Sequence, residues 1–144
     1  MVVRFSVPGE PKGKGRPRVV NAGGYARAYT PEDTLVYENQ VKWYYKTAAG
    51  QFKFDDKAPL AVEIDAFYQI PKSTSKKKHA EMMDDKVRPT KKPDLDNVAK
   101  IVCDALNGIA YHDDSAIVDL RVRKYFNDIP SVNVTIREVN DEVD

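Results

Sequence analysis

A chain of 144 residues, 42% hydrophobic and 31% charged with a formal net charge of +1, is long enough to bury the core of one globular domain. No apolar run reaches membrane-spanning length, and the opening Met1-Val2-Val3-Arg4-Phe5 lacks the apolar segment of a signal peptide. The single cysteine, Cys103, cannot close an internal disulfide; it reads as a small core residue in a chain expected to stay in the reducing cytoplasm.

Residues 2–7 are short and apolar, ended by Pro8-Gly9, and predict a first strand. Residues 8–24 are rich in Gly and Pro and poor in apolar side chains, which predicts a basic loop, mobile without ligand. Thr30 suits an N-cap, Pro31 the first helical position, and Glu32 and Asp33 the positive end of the helix dipole. That helix is expected to run to about residue 49, with Tyr37, Val41, Tyr44 and Ala48 as a core stripe rather than a base-stacking platform. Residues 60–70 alternate as a strand that Pro71 stops. Residues 71–92 are a Lys-rich excursion with a short helix around 76–83.

Asp94 is the expected cap of a further helix whose stripe is Leu95, Val98, Ile101, Val102, Ala105 and Leu106, stopped by Asn107-Gly108. Residues 109–111 read as the start of a short strand and Asp113-Asp114 as a turn. Alternation around Val118, Leu120 and Val122, and again at Val132, Val134 and Ile136, predicts two more strands. The acidic tail over 139–144 is expected to fray. The order is β-α-β-(excursion)-α-β-β. It predicts one two-layer α+β domain over 1–144, a mixed sheet with helices mainly on one face.

The small net charge conceals segregation. Residues 1–29 carry Arg4, Lys12, Lys14, Arg16, Arg18 and Arg27 against Glu10 alone, and residues 71–92 hold eight Lys or Arg against three acids. Residues 93–119 hold six Asp against Lys100 alone. Two basic tracts beside one acidic pocket suit a polyanion held by its phosphates and attacked through metal ions. Asp94 and Asp96 lie at a helix start, and Asp113 and Asp114 follow just beyond its end. Such carboxylates raise each other's pKa unless a hard divalent cation relieves them. Asp96, Lys100 and Asp104 share one helix face at i, i+4 and i+8. They form either a surface ladder of about 0.3–0.5 kcal/mol per pair or, through Lys100, a stabiliser of phosphate charge; Asp104 reads as structural.

Other chemistries fit less well. An EF-hand loop from Asp94 would need Gly at 99 and Glu at 105, where the chain has alanines. A phosphatase nucleophile would follow an apolar strand, not Thr90-Lys91-Lys92-Pro93. The loop Gly9-Glu10-Pro11-Lys12-Gly13-Lys14-Gly15 is one residue short of a nucleotide-phosphate loop and lacks the following Ser/Thr, so no nucleotide cofactor is expected. Lys12, Lys14, Arg16 and Arg18 better suit a nucleic-acid backbone, with Lys76, Lys77 and Lys78 as weaker candidates. His79 and His112 have no zinc-ligand spacing.

Asp94-Leu95-Asp96-Asn97, Lys100, Asp104-Ala105-Leu106-Asn107-Gly108 and Asp113-Asp114, with the opening Pro8-Gly9-x-Pro11 and Arg16-Pro17-Arg18, resemble the RusA-type Holliday junction resolvases over residues 2–138. The resemblance implies a small, dimeric, Mg²⁺-dependent endonuclease, with Mn²⁺ as a substitute, that hydrolyses phosphodiesters of four-way DNA junctions by paired symmetric nicks. By position it implies metal binding at Asp94, Asp96 and Asp114, an essential lysine at Lys100, and Asp113 as an acidic neighbour. A non-catalytic branched-DNA-binding protein and a less selective flap nuclease are the competing readings. Retention of three carboxylates and the lysine argues against the first of these.

Overall fold

The computed structural model describes residues 1–16 and 18–141, and for Arg18 and Ala22 the backbone alone. A four-stranded mixed sheet forms the scaffold, built from β1 (Val2–Pro8), β4 (Leu60–Gln69), β5 (Ile117–Asn127) and β6 (Ser131–Glu138) in the order β1-β6-β4-β5. β6 runs antiparallel to both β1 and β4, and β4 runs parallel to β5. A parallel neighbour requires a long crossover. Residues 70–116 supply it, carrying the helices α2 (Lys76–Met83) and α3 (Leu95–Ala105).

Alternation decides which face is covered. Val3, Phe5 and Val7 of β1, Val62, Ile64 and Ala66 of β4, and Val132, Val134 and Ile136 of β6 are buried on one face. Helix α1 (Glu32–Ala49) packs on β1 and on α3, closing that layer. The other face is wet. It carries the bidentate Arg123–Asp65 pair, Nε to Oδ1 at 2.7 Å, and stacked Phe67 and Tyr125 rings 5.4 Å apart. This is the expected α+β domain. Among the described residues no helix is long and apolar enough to cross a membrane.

The local departures have physical reasons. Pro31, with ψ 146°, is the cap of α1, so the helix starts one residue later than expected from Thr30. Its buried stripe is Thr34, Tyr37, Glu38, Val41 and Tyr45; Ala48 is exposed, and Tyr45 takes its place by donating its hydroxyl to the Phe52 carbonyl at 2.7 Å. In α3 the stripe is as expected except Leu95, which is exposed in the first turn, before the helix reaches the core. Residues 109–111 make no strand; they turn back, joined to the helix end by the Asn107–Tyr111 bridge, and bury Ala110 and Tyr111. The acidic tail is held as far as Asp141, whose carboxylate accepts from the Met1 ammonium at 2.8 Å. Residues 142–144 lie outside the described residues.

The stretch expected to be one mobile loop, residues 8–24, divides in two. Its second part enters an antiparallel hairpin, β2 (Arg18–Ala22) with β3 (Tyr25–Tyr29). Gly23 and Gly24, with φ 61° and 84°, make the two-residue turn, in which both residues need positive φ. Its first part is clamped. The Lys14 N–H donates to the Asn97 carbonyl at 3.0 Å, and the Gly15 N–H to the Thr34 hydroxyl at 3.2 Å. A Cβ on Gly13 would lie 2.9 Å from the Pro93 Cβ, so glycine allows the close approach to the start of α3. Lys14 turns inward: its ammonium lies 2.9 Å from Glu38 of α1 and 3.4 Å from Asp104 of α3.

These contacts predict a contrast between two neighbouring cations. Lys14→Ala leaves the buried Glu38 carboxylate without its partner and should destabilise the fold by about 1.5–3 kcal/mol. Arg16→Ala, at an exposed position, should change stability by less than about 0.5 kcal/mol. Urea unfolding of the two variants checks this, and equal losses would show that Lys14 is not the inward anchor.

Candidate active site

The excursion between β4 and α3 returns to the sheet before it reaches the first acid. The Arg88 guanidinium sits 4.1 Å from the Tyr125 ring centroid and its Nε donates to the Lys124 carbonyl at 2.6 Å. The Lys124 ammonium donates to the Lys91 carbonyl, and the Tyr68 hydroxyl donates to the Pro93 carbonyl at 2.6 Å. Burial, with Lys91 nearby, holds the Lys124 pKa below its ordinary value. These bonds tie residues 88–93 to β4 and β5, and so fix where α3 starts.

Asp94 takes the N-cap position of α3, with φ −70° and ψ 156°, as its sequence context predicts. Its carboxylate makes no capping hydrogen bond, which is the usual reason for an aspartate there. Asp94 and Asp96 line an open groove of about 810 Å³ whose opposite wall is Pro11, Lys12, Gly13 and Arg16. Asp96 also lines a second cavity, of about 460 Å³, together with Lys100, Asp104, Asp114 and Asp119. The side chain of Asp96 therefore joins the basic groove to the acidic pocket.

The second acidic pair divides by role. Asp113 caps the short 3₁₀ turn Asp114–Ala116, accepting from the Ser115 N–H at 3.0 Å, and the Ser115 side chain, followed by that N–H, lowers its pKa. Asp114 is aimed into the pocket. Its N–H donates to the Asn107 side-chain carbonyl at 2.9 Å, which couples it to the end of α3, and Gly108, at φ 76°, turns the chain there. Burial raises the Asp114 pKa, followed by the charges of Asp113 and Asp104; Lys100 opposes them. Cys103, behind the same wall, is buried and its pKa is pushed up to about 11, which makes it a poor nucleophile.

Of the two readings of the α3 face, the ladder has no ion pair behind it: among the described residues Lys100 makes none, and Asp104 is engaged by Lys14. Lys100 is left exposed beside Asp96 and Asp114. Asp104 and Asp119 thus belong to the pocket, although the sequence pattern marks the first as structural and does not single out the second. The i+8 spacing of Asp104 from Asp96 was the available signal; Asp119 carried none beyond strand alternation.

Of the residues expected to meet DNA, Lys12 and Arg16 are exposed along the groove, and Lys76, Lys77 and Lys78 are exposed in the first turn of α2. Lys14 lines the same groove, with its ammonium paired to Glu38 at 2.9 Å and Asp104 at 3.4 Å. Arg18 begins β2, and its side chain lies outside what the structure describes.

Among the described residues no three His, Cys, Asp or Glu side chains are grouped closely enough to enclose an ion. Apart from the buried Cys103, the pocket's potential ligands are carboxylates, hard oxygen donors. Such a set fits an ion of the Mg²⁺ type, held by one or two carboxylates and completed by water and substrate phosphate, and does not fit a dedicated cage.

Two comparisons bear on this geometry. A protein 37% identical over 142 residues, covering 96% of this chain and 97% of its own length, is the "Uncharacterized protein YqaN" of Bacillus subtilis (strain 168). The family model described as Endodeoxyribonuclease RusA matches residues 8–137, from the loop opposite Asp94 to the last residues of β6. With the match spanning the groove, α3 and both acidic pairs, the chain belongs to the RusA endodeoxyribonuclease family.

Proposed function

We propose that this chain is a metal-dependent endonuclease that resolves four-way DNA junctions as a homodimer, with Asp94, Asp96 and Asp114 supplying carboxylates for one or two Mg²⁺ ions, or Mn²⁺ in their place. The observation that carries the reading is the N-cap aspartate whose carboxylate leaves its own helix uncapped and instead faces a basic groove. A structural Asp94 would cap α3. A carboxylate left free at the positive end of a helix, next to Lys12 and Arg16, is suited to work on something bound between them. When bound, the metal would supply charge neutralisation at the phosphate and a more acidic water.

The chain's own groups account for the rest. Lys12 and Arg16 hold the DNA backbone in the groove, and their charge draws the polyanion toward carboxylates that alone would repel it. Lys100, unpaired among the described residues, places an ammonium where charge grows on the departing oxygen. Lys14 stays in the wall, its pKa raised because the Glu38 and Asp104 carboxylates outweigh the effect of burial. The first turn of α2 has three lysines and no acid, an unfavourable arrangement at the positive end of a helix that a DNA phosphate would relieve.

Dimerisation would bring two such pockets to opposed strands of a two-fold junction. Apolar side chains are exposed around the acidic pocket, with Leu95, Val118 and Leu120 each more than 40% exposed. Together with the position of β5 at a sheet edge, they support a self-complementary contact near the site.

Asp96→Asn and Asp114→Asn should each abolish cutting of a synthetic junction in Mg²⁺ while binding stays equal or tightens; wild-type rates in either variant would remove the assigned site. Lys100→Ala should slow single-turnover cleavage by about a hundredfold or more, whereas a loss below about fivefold would mean that its charge serves only the surface.

Light scattering should give about twice the 16.3 kDa chain mass, and a junction on supercoiled plasmid should be linearised with little nicked circle. A monomeric mass with nicked circle as the main product would overturn the paired-nick mechanism. Arg16→Ala should flatten the salt dependence of junction binding by about one unit of slope.

A further inference from the structure

The hairpin β2–β3 has no place in the core. It forms its own two-stranded sheet, and every described side chain in it is exposed. An isolated two-stranded hairpin is marginal in water, and exposed aromatic side chains on one need a reason. The register gives the reason a shape. Val20 pairs with Arg27 across the ladder, and strand alternation sets Tyr25, Arg27 and Tyr29 along one face beside Val20. The opposite face carries only Val19, Asn21, Ala26 and Ala28. Tyr25 is 71% exposed and Tyr29 45% exposed, in contrast to Tyr37 and Tyr45 of α1, which are buried.

Two tyrosines flanking an arginine along one strand combine a flat stacking surface with a phosphate-binding cation. The hairpin follows the basic groove directly in the chain, two residues beyond Arg16, so its charge continues that of Lys12 and Arg16. We propose that the Tyr25-Arg27-Tyr29 face of this hairpin engages unstacked bases at the branch point of the DNA, its rings stacking on bases and Arg27 pairing with a neighbouring phosphate. The assignment rests on the junction-binding reading and adds to it the element that distinguishes a branch from plain duplex. A second copy of the chain suits this face less well: a stable interface takes about 800 Å² from each partner, more than four side chains supply, and Arg27 at its centre would meet its own copy.

The test uses full-length protein in EDTA, so that nothing is cut, with junction DNA carrying 2-aminopurine next to the branch point and a matched duplex. Wild-type protein should bind the junction and change the 2-aminopurine fluorescence. Tyr25→Ala/Tyr29→Ala should weaken junction binding by about tenfold or more, abolish the wild-type fluorescence change and leave duplex affinity within about threefold. Tyr25→Phe/Tyr29→Phe, which keeps the rings, should bind as wild type. Circular dichroism of the alanine variant should match wild type, since these side chains lie outside the core.

Unchanged junction binding and fluorescence in the alanine variant would overturn the hairpin assignment alone. So would loss of the dimer mass in that variant, which would make a second copy the occupant. Failure of the wild-type protein to bind junctions would overturn the junction reading itself, and the hairpin assignment with it.

Discussion

The Lys14 ammonium, 2.9 Å from Glu38 and 3.4 Å from Asp104, is the contact on which the architecture of the site depends. It joins three pieces that are distant in the chain: the glycine-rich loop, the middle of α1 and the last turn of α3. Glycines at 13 and 15 let the loop approach closely enough for this to happen, with the Gly15 N–H on Thr34 and the Lys14 N–H on Asn97. The result is a fixed wall opposite Asp94 and Asp96. A loop free to move would not keep Lys12 and Arg16 at a constant distance from the carboxylates they face. The arrangement uses one cation of the tract for structure so that its neighbours can be used for binding.

The same ion pair limits the electrostatic strain of the pocket. Asp96, Asp104, Asp114 and Asp119 line one cavity, and burial with neighbouring carboxylates raises the Asp114 pKa. By engaging Asp104, Lys14 neutralises the acid nearest the helix end and leaves Asp96, Asp114 and Asp119 as the cavity's acids with no cation of their own among the described residues. Lys100 remains close but unpaired among those residues. Structural charge is thus satisfied internally, and the residual negative charge is concentrated in the acidic pocket, which Asp96 joins to the groove. A site assembled this way is under-neutralised without ligand. On the proposed function, polyanion and cation would bind with mutual support, each relieving a repulsion the other would meet alone.

Much of this was legible in the sequence, and the failures are instructive. Helix α3 was readable because its stripe, N-cap and Asn107-Gly108 stop all agree, so local and tertiary preferences coincide. Spacing alone does not divide the roles of Asp113 and Asp114, since either order of capping and pocket-facing roles satisfies the same Asp-Asp pair; the family resemblance set Asp114 apart, and the Asn107 and Ser115 bonds give the geometry. Lys14 looked like one more basic residue of a loop. Its partners, Glu38 and Asp104, lie far along the chain, and nothing in the local pattern reports a contact at that range. The hairpin was missed for the opposite reason: its turn signal, Gly23-Gly24, was present, but a strand with no buried face has no hydrophobic alternation against the core to mark it.

That contrast separates two kinds of element. The sheet, α1 and α3 are specified redundantly, by period, caps and burial, and between them they position the carboxylates of the pocket. The hairpin is specified by its turn and by its own cross-strand bonds alone, so it is the element with the least to hold its orientation. A rigid acidic centre beside a compliant aromatic-cationic arm suits a substrate whose scissile phosphate must be placed closely while its branch geometry varies. Alternation turns Val62 and Ile64 of β4 into the core, whereas the tyrosines of β3 belong to a hairpin with no buried face and stay exposed, as the proposed stacking on DNA bases requires.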